Sequence, residues 1–420
     1  MSCLNLYSFK FRVFCRDALA NARLKFSRDS RLGERTRSEL YQRRVEDAIV
    51  AFIRNIPQEG DDQDILQDII RYLSGWEEKA RAQDTISEQD LPRAIDFVHK
   101  LLDNEKLQRR VFRAYPGLSI ERLCSLGLDL AKCCSTPPTS LFVVATHVPD
   151  VPYRLGSGAD IYTGIVNNQK VLVKRLRYFL NMPHDEKVEV EEMFFREASI
   201  WSQLRHPNLL SIYGIDKVNF STMPCIISPW MQNGGILQYR NSLPQPPSIS
   251  RMNKWILDIL AGLTHLHKYS FLHGDVRSDN ILISDDGTTA QLCDFGLTTF
   301  ARTYAKESYT WRDNSERWDP PELMEPNMIA PNPAKSSFAT DVYSFGLVCT
   351  EIYSGEKPFA NLKMLHVRYA VLRNERPPRP IQPPMSDQLW SEVQQCWSQR
   401  PEDRPAIEDV RRRLTKFFHG

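Results

Sequence analysis

His273-Gly274-Asp275-Val276-Arg277-Ser278-Asp279-Asn280 is the stretch on which the reading of this chain turns. The amphipathic pattern from Met252 to His267 predicts a helix before it, and the apolar run Ile281-Leu282-Ile283 follows it, so the stretch lies on a loop. Asp275 can accept or orient a hydroxyl, although an aspartate in a loop can equally serve a turn. Asn280 can bind a metal through its amide oxygen.

Further on stands Asp294-Phe295-Gly296. A carboxylate there, after a strand, can chelate Mg2+ that bridges phosphates, and the glycine permits the turn that aims it. Upstream, Val171-Leu172-Val173-Lys174 reads as a strand ending in lysine, and Glu197, in Phe194-Phe195-Arg196-Glu197-Ala198, falls on a helix. A buried lysine needs a counter-charge, so a Lys174–Glu197 pair is expected. Pro320-Pro321-Glu322, Asp341 and Arg404 look like fold residues, with a buried Glu322–Arg404 pair anchoring the segment that receives substrate. Phosphates held still, metal to offset charge and a carboxylate at the attacking hydroxyl are the parts phosphoryl transfer needs.

With these motifs in this order, the chain resembles the eukaryotic protein-kinase family over about residues 153–418. Leu204-Arg205-His206-Pro207-Asn208, Arg317-Trp318, Asp341-Val342-Tyr343-Ser344-Phe345-Gly346 and Cys396-Trp397 look like the tyrosine-kinase-like branch; Ser228-Pro229-Trp230-Met231 and His273-Gly274-Asp275 look like its fungal members. The resemblance implies an α+β fold, bilobal, with an antiparallel-sheet N-lobe and a helical C-lobe. It implies ATP and Mg2+, or Mn2+, as cofactors. Lys174 and Glu197 would position phosphate, Asp275 would be the catalytic base, Arg277 a charge near the transferred group, and Asn280 and Asp294 the metal ligands. Leu155, Gly156, Ser157, Gly158, Ile161, Leu172, Lys174, Ser228, Trp230 and Met231 would line the nucleotide, with Ser228 as gatekeeper and Pro229 to Met231 as hinge. Asp341 would brace the catalytic loop through its backbone N–H groups.

Several positions depart from the family pattern. With Ile161 over adenine, Arg154 and Ala159 stand where the family has glycine, which makes the loop less pliable. Leu172 and Pro320 each replace alanine, and Gly274 replaces the arginine that normally pairs with an activation-loop phosphate, so activity should depend less on that phosphate. Thr303, Ser308, Tyr309 and Thr310 are candidate phosphosites. Cys293 is either a thiol facing nucleotide or a buried strand residue. Ser315 resembles the threonine that contacts the catalytic aspartate in serine/threonine enzymes, so protein serine or threonine is the expected acceptor. The alternative is a pseudokinase, a scaffold or regulatory binding protein with a degenerate nucleotide loop.

Before Ser135-Thr136-Pro137-Pro138-Thr139-Ser140, where the prolines stop any helix, the pattern is all-helical. The expected organisation is a basic N-terminus at 1–37, a helical accessory region at 38–135, a linker and lead-in strand at 136–152, and the kinase-like domain at 153–418. Thr36-x-x-Glu39 and Thr85-x-x-Glu88 fit capping boxes. The helical faces either pack on one another or take a protein partner. Residues to Arg37 hold nine Lys/Arg against three Asp/Glu, a basic arm or a weak presequence. The whole chain, at +2, carries no charge imbalance pointing to nucleic acid. Nine cysteines, an odd number with none in C-x-x-C, argue against a zinc site or a disulfide framework. With no membrane span and no cleavable apolar leader in view, cytoplasm is the expected compartment and nucleus the alternative.

Overall fold

The computed structural model describes residues 138–155, 159–176, 184–220, 224–295, 316–325 and 337–419, plus positions 102, 109, 120, 124, 128 and 131; the side chains of 184–190 and 193 are outside the description. The chain divides into two compact units, residues 1–140 and 141–420. In the first, all six described positions between 102 and 131 are helical. Cys124, Leu128 and Ala131 are buried at the spacing of one helix face. The other helical segments and the basic terminus expected there lie outside the described residues, as do Gly156 to Gly158 and the candidate phosphosites.

The second unit opens with β1 (Arg154–Leu155), β2 (Ala159–Val166) and β3 (Gln169–Leu176), followed by helix α1 (His184–Gln203), β4 (Gly214–Asp216) and β5 (Cys225–Pro229). The strands form one sheet in the order β1-β2-β3-β5-β4, with every pair antiparallel. Asn167 and Asn168, at φ 50° and 61°, make the tight turn between β2 and β3 that asparagine tolerates. Strand alternation splits β3 between two faces. Val171 and Val173 join Tyr162, Cys225, Ile227 and Ala145 in the core of this lobe, while Leu172 and Lys174 point the other way.

Leu141 to Ala145, expected as a strand, takes a different form. Leu141 closes a 3-10 turn (Thr139–Leu141), and the chain then runs as a strap held at single points. Val143 N–H donates to Ile215 O (3.0 Å), Ala145 N–H to Asp216 Oδ2 (2.9 Å), and Thr146 and Ile165 exchange backbone bonds of 2.9 and 2.8 Å. Two glycines make room for it. A Cβ on Gly164 would lie 3.1 Å from that of Ala145, and one on Gly214 (φ 154°) would run into Leu141 O.

The second lobe is helical: α2 (Ile236–Ser242), α3 (Ile249–Lys268), the hairpin β6 (Ile281–Ile283) and β7 (Ala290–Leu292), then α4 (Pro321–Met324), α5 (Phe338–Ser354), α6 (Met364–Leu372), α7 (Asp387–Cys396) and α8 (Ile407–His419). The Ser248 side chain caps α3, which buries Met252, Trp255, Ile256, Ile259, Leu263 and Leu266 along one stripe. Helix α5 is buried from Thr340 to Tyr353 and ends at Gly355, whose φ of 78° suits glycine. Arg404 meets Glu322 of α4 through two parallel bonds of 2.7 and 2.8 Å, the pair expected from the sequence. The whole is the expected α+β arrangement, an antiparallel-sheet lobe followed by a helical lobe.

Candidate active site

The loop from His273 to Asn280 leaves α3 and enters β6, and its shape is fixed from beneath by α5. Asp341 Oδ2 accepts from the His273 N–H (2.9 Å) and Oδ1 from the Gly274 N–H (2.8 Å), with His267 Nε2 also 2.9 Å from Oδ2. Burial alone would raise the Asp341 carboxyl. Bonds from His267 and Gly274, with the neighbouring His273, more than offset this and hold it below its ordinary value. Burial lowers the His273 pKa, despite the surrounding carboxylates. Gly274 sits at φ 77°, a conformation that glycine adopts without strain and an arginine would not.

On this loop Asn280 donates to both the Asp275 carbonyl (2.9 Å) and Asp275 Oδ2 (2.7 Å). Arg277 Nε lies 3.2 Å from the same Oδ2, a charge contact without hydrogen-bond geometry. Burial opposes the Arg277 charge, but Asp275, Asp279 and Asp294 more than compensate and its pKa is raised. Asp275 Oδ1 remains as the oxygen it can offer a hydroxyl, and the Asn280 amide oxygen as the atom it can offer a cation.

Asp294 follows β7 at φ 61°, and its Oδ2 accepts from Lys174 Nζ at 2.7 Å. The expected Lys174–Glu197 pair is therefore not formed here. Glu197 makes no hydrogen bond or ion pair among the described residues, and burial, partly offset by Arg196, raises its pKa. The positive-φ turn at Asp294 brings that carboxylate to Lys174 instead. Phe295 packs on Trp201 of α1, ring centroids 4.9 Å apart. Cys293 is buried, and burial with Asp294 pushes its thiol well up.

The ladder registers place Ile161 opposite Lys174, and Leu172 opposite both Thr163 and Ser228. Cross-strand partners share a face, so Ile161, Leu172, Lys174 and Ser228 lie together on the face away from the lobe core. Leu155 does not join them. It pairs with Asp160, on the opposite side of the pleat, and is 68% exposed. A two-residue strand offers no alternation from which its facing could be read. Tyr153 is the residue the sequence reading missed: its ring meets Trp230 edge-on at 5.0 Å, and the Lys170 ammonium lies 4.0 Å from the Trp230 ring centroid. Trp230 N–H donates to Lys170 O (3.4 Å), and Met231 O accepts from the Gly234 N–H (3.2 Å).

Among the described residues no group of three or more His, Cys, Asp or Glu is arranged to hold a metal by itself. Asp294 and the Asn280 oxygen are hard donors, too few for a protein cage. They fit a cation such as Mg2+ that completes its shell with phosphate oxygens and water.

Residues 152–414 match the model of the protein tyrosine and serine/threonine kinase family. The chain belongs to that family. Its kinase domain is 30% identical over 269 residues to the serine/threonine/tyrosine-protein kinase HT1 of Arabidopsis thaliana, covering 63% of this chain and 65% of that one. It is 31% identical over 258 residues to the dual specificity protein kinase pyk3 of Dictyostelium discoideum, covering 61% of this chain and 17% of that one. Against the tyrosine-protein kinase SRK3 of Spongilla lacustris it is 28% identical over 273 residues, 63% of this kinase and 75% of the other. The chain thus spans less than two thirds of the first two relatives. No helix among the described residues is long and apolar enough to cross a membrane.

Proposed function

We propose that this kinase uses Mg-ATP to phosphorylate serine and threonine hydroxyls of proteins. The observation that carries the reading is the convergence of Asp275, Arg277 and Asn280 on one loop braced by Asp341, with Asp294 held at Lys174. Asp275 orients the acceptor hydroxyl and takes its proton. Arg277, kept charged by three carboxylates, faces the transferring group. Lys174 offers its ammonium to phosphate oxygens, and the Met231 N–H with the Ile161 and Leu172 side chains receives the adenine. Asn280 and Asp294 would hold the cation, which when bound supplies charge neutralisation to the phosphates. Ser315 and the tyrosine-kinase-like motifs support serine/threonine acceptors, and the relatives' names span all three hydroxyl residues. The first unit supplies a place for a protein partner.

A second reading, a scaffold that kept the fold, is favoured by one observation: among the described residues Glu197 makes no ion pair, while Lys174 is occupied by Asp294. Transfer from labelled ATP to a generic basic protein decides between them. The parent should transfer phosphate and Asp275→Asn and Asp294→Asn should not, with acid hydrolysis yielding phosphoserine and phosphothreonine. A folded parent that transfers nothing, and gains no thermal stability from ATP with Mg2+, sinks the enzyme reading.

A further inference from the structure

Helix α5 is apolar around most of its girth, yet it carries a fully buried carboxylate, Glu351. Such a group is costly unless donors meet it. The donors come from two separate loops. Ser278 Oγ donates to Oε1 at 2.7 Å, and Trp318 Nε1 donates to Oε2 at 2.7 Å.

Ser278 lies between Asp275 and Asn280. Trp318 closes the 3-10 turn Glu316–Trp318, just before Pro320-Pro321-Glu322, and is itself buried. Its carbonyl accepts from Ser344 Oγ at 2.8 Å, so α5 grips Trp318 at both ends. A pocket between the two loops is lined by Asp275 and Val276 on one side and Trp318, Pro320 and Leu323 on the other. Any shift of Trp318 therefore moves a wall of the space in front of Asp275. The charged groups around Glu351 are Asp279 of the loop and Lys357 of the turn after α5; Lys357 Nζ lies 3.7 Å from Asp279 Oδ2 and 5.9 Å from the Trp318 ring centroid.

We infer that Glu351 is a positioning residue for the acceptor side of the reaction: one rigid carboxyl group ties the segment bearing Trp318 to the loop bearing Asp275. This rests on the kinase reading above. An apolar side chain of the same size could fill the space but would not set the register of two loops, because dispersion contacts lack direction. Burial pushes the carboxyl up to about 8, so both protonation states are within reach near neutral pH. The Ser278 hydroxyl can donate to the carboxylate or accept from the acid, so the brace holds in either. A glutamine can do the same, accepting from Trp318 and donating to Ser278.

The test compares Glu351→Gln, Glu351→Met and Trp318→Phe in the full chain. Trp318→Phe, which loses one hydrogen bond, should lower kcat/KM for an acceptor protein by about tenfold, and Glu351→Met, which loses both, by at least as much, with KM for ATP unchanged. Glu351→Gln should stay within about threefold of the parent, because it remakes both bonds. Equal losses on the ATP and acceptor sides, or glutamine as damaging as methionine, would overturn the inference. Hydrogen exchange gives an arm independent of catalysis. In Glu351→Met, residues 273–280 and 316–325 should lose protection together while α3 keeps its own; loosening of one segment alone, or of neither, counts against the brace. A parent that transfers no phosphate but shows the paired loosening would overturn the kinase reading and leave the brace standing.

Discussion

Replacing Arg404 by methionine should unfold the kinase domain at a markedly lower temperature. Arg404 and Glu322 have side chains 0% and 6% exposed and share two bonds of 2.7 and 2.8 Å. Arg404 also donates to Ser398 O (2.9 Å) and Ala339 O (3.0 Å), so one guanidinium joins α4, the start of α5 and the turn after α7. Methionine fills much of the volume but strands the Glu322 carboxylate in a dry site. Removing one partner of a buried pair costs about 3–5 kcal/mol. For a domain of this size each kcal/mol moves Tm by about 2–4 °C, so the drop should be about 6–20 °C. Thermal unfolding followed by near-UV circular dichroism reads it. The cycle with Glu322→Gln separates the pair from the other contacts: the double variant should be milder than the sum of the singles by about 1–3 kcal/mol. A drop under about 3 °C, or additive singles, would refute the claim that this pair anchors the segment.

Asp341→Asn should lose about 1–3 kcal/mol, since one amide oxygen cannot serve both the His273 and Gly274 N–H groups. The folded Asp341 carboxyl is depressed, so the stability it contributes is present above the ordinary value of 3.8 and fades as pH falls through the lower folded value; in urea titrations the variant should show a flatter acid limb. Gly214→Ala should lower Tm by several degrees, roughly the cost of a β-carbon at positive φ that also meets Leu141 O, and a neutral result would deny the strap its tight seat. Gly274→Arg should cost about 1–2 kcal/mol for an L-residue at φ 77° and should make activity sensitive to phosphatase treatment, which the parent is expected to resist; a phosphatase that silences the parent would end that idea.

Much of this was legible in the sequence because the signals were local. Alternation in Lys170 to Lys174 sorts core from cleft without any knowledge of partners, and the ladder then carries Ile161 and Ser228 to the same face. Asp341 and the pair Glu322–Arg404 could be singled out because they stand in motifs that resemble those of the kinase family. What escaped was choice among equivalent partners. The sequence offers Lys174 both Glu197 and Asp294, and the backbone turn at Asp294 brings that carboxylate to it. The run Leu141 to Ala145 has strand composition, but it meets β4 and β2 at single points and so becomes a strap. Trp318 and Glu351 are far apart in the chain, and the one available hint was a glutamate inside Gly346-Leu347-Val348-Cys349-Thr350-Glu351-Ile352-Tyr353.

That hint generalises to how the site is held. Every polar side chain that α5 sends toward the catalytic loop or Trp318 is already spoken for: Asp341 by His267, His273 and Gly274, Ser344 by the Trp318 carbonyl, Glu351 by Ser278 and Trp318. In an apolar surround a missed bond costs about 1–3 kcal/mol, so a displaced loop loses several such bonds at once instead of sliding by small steps. The loop bearing Asp275 and the segment bearing Trp318 are therefore set by one helix. On the cleft side Lys174 meets Asp294 at side chains 16% and 29% exposed. Partly exposed and so screened by solvent, that contact is weaker than the buried bonds of α5. Rearrangement on nucleotide binding should thus fall on Lys174, Asp294 and the helix bearing Glu197, with the acceptor side staying fixed. Hydrogen exchange with and without ATP and Mg2+ reads this directly: protection should change in 191–203 and stay constant in 338–354, and the reverse pattern would contradict the division of labour.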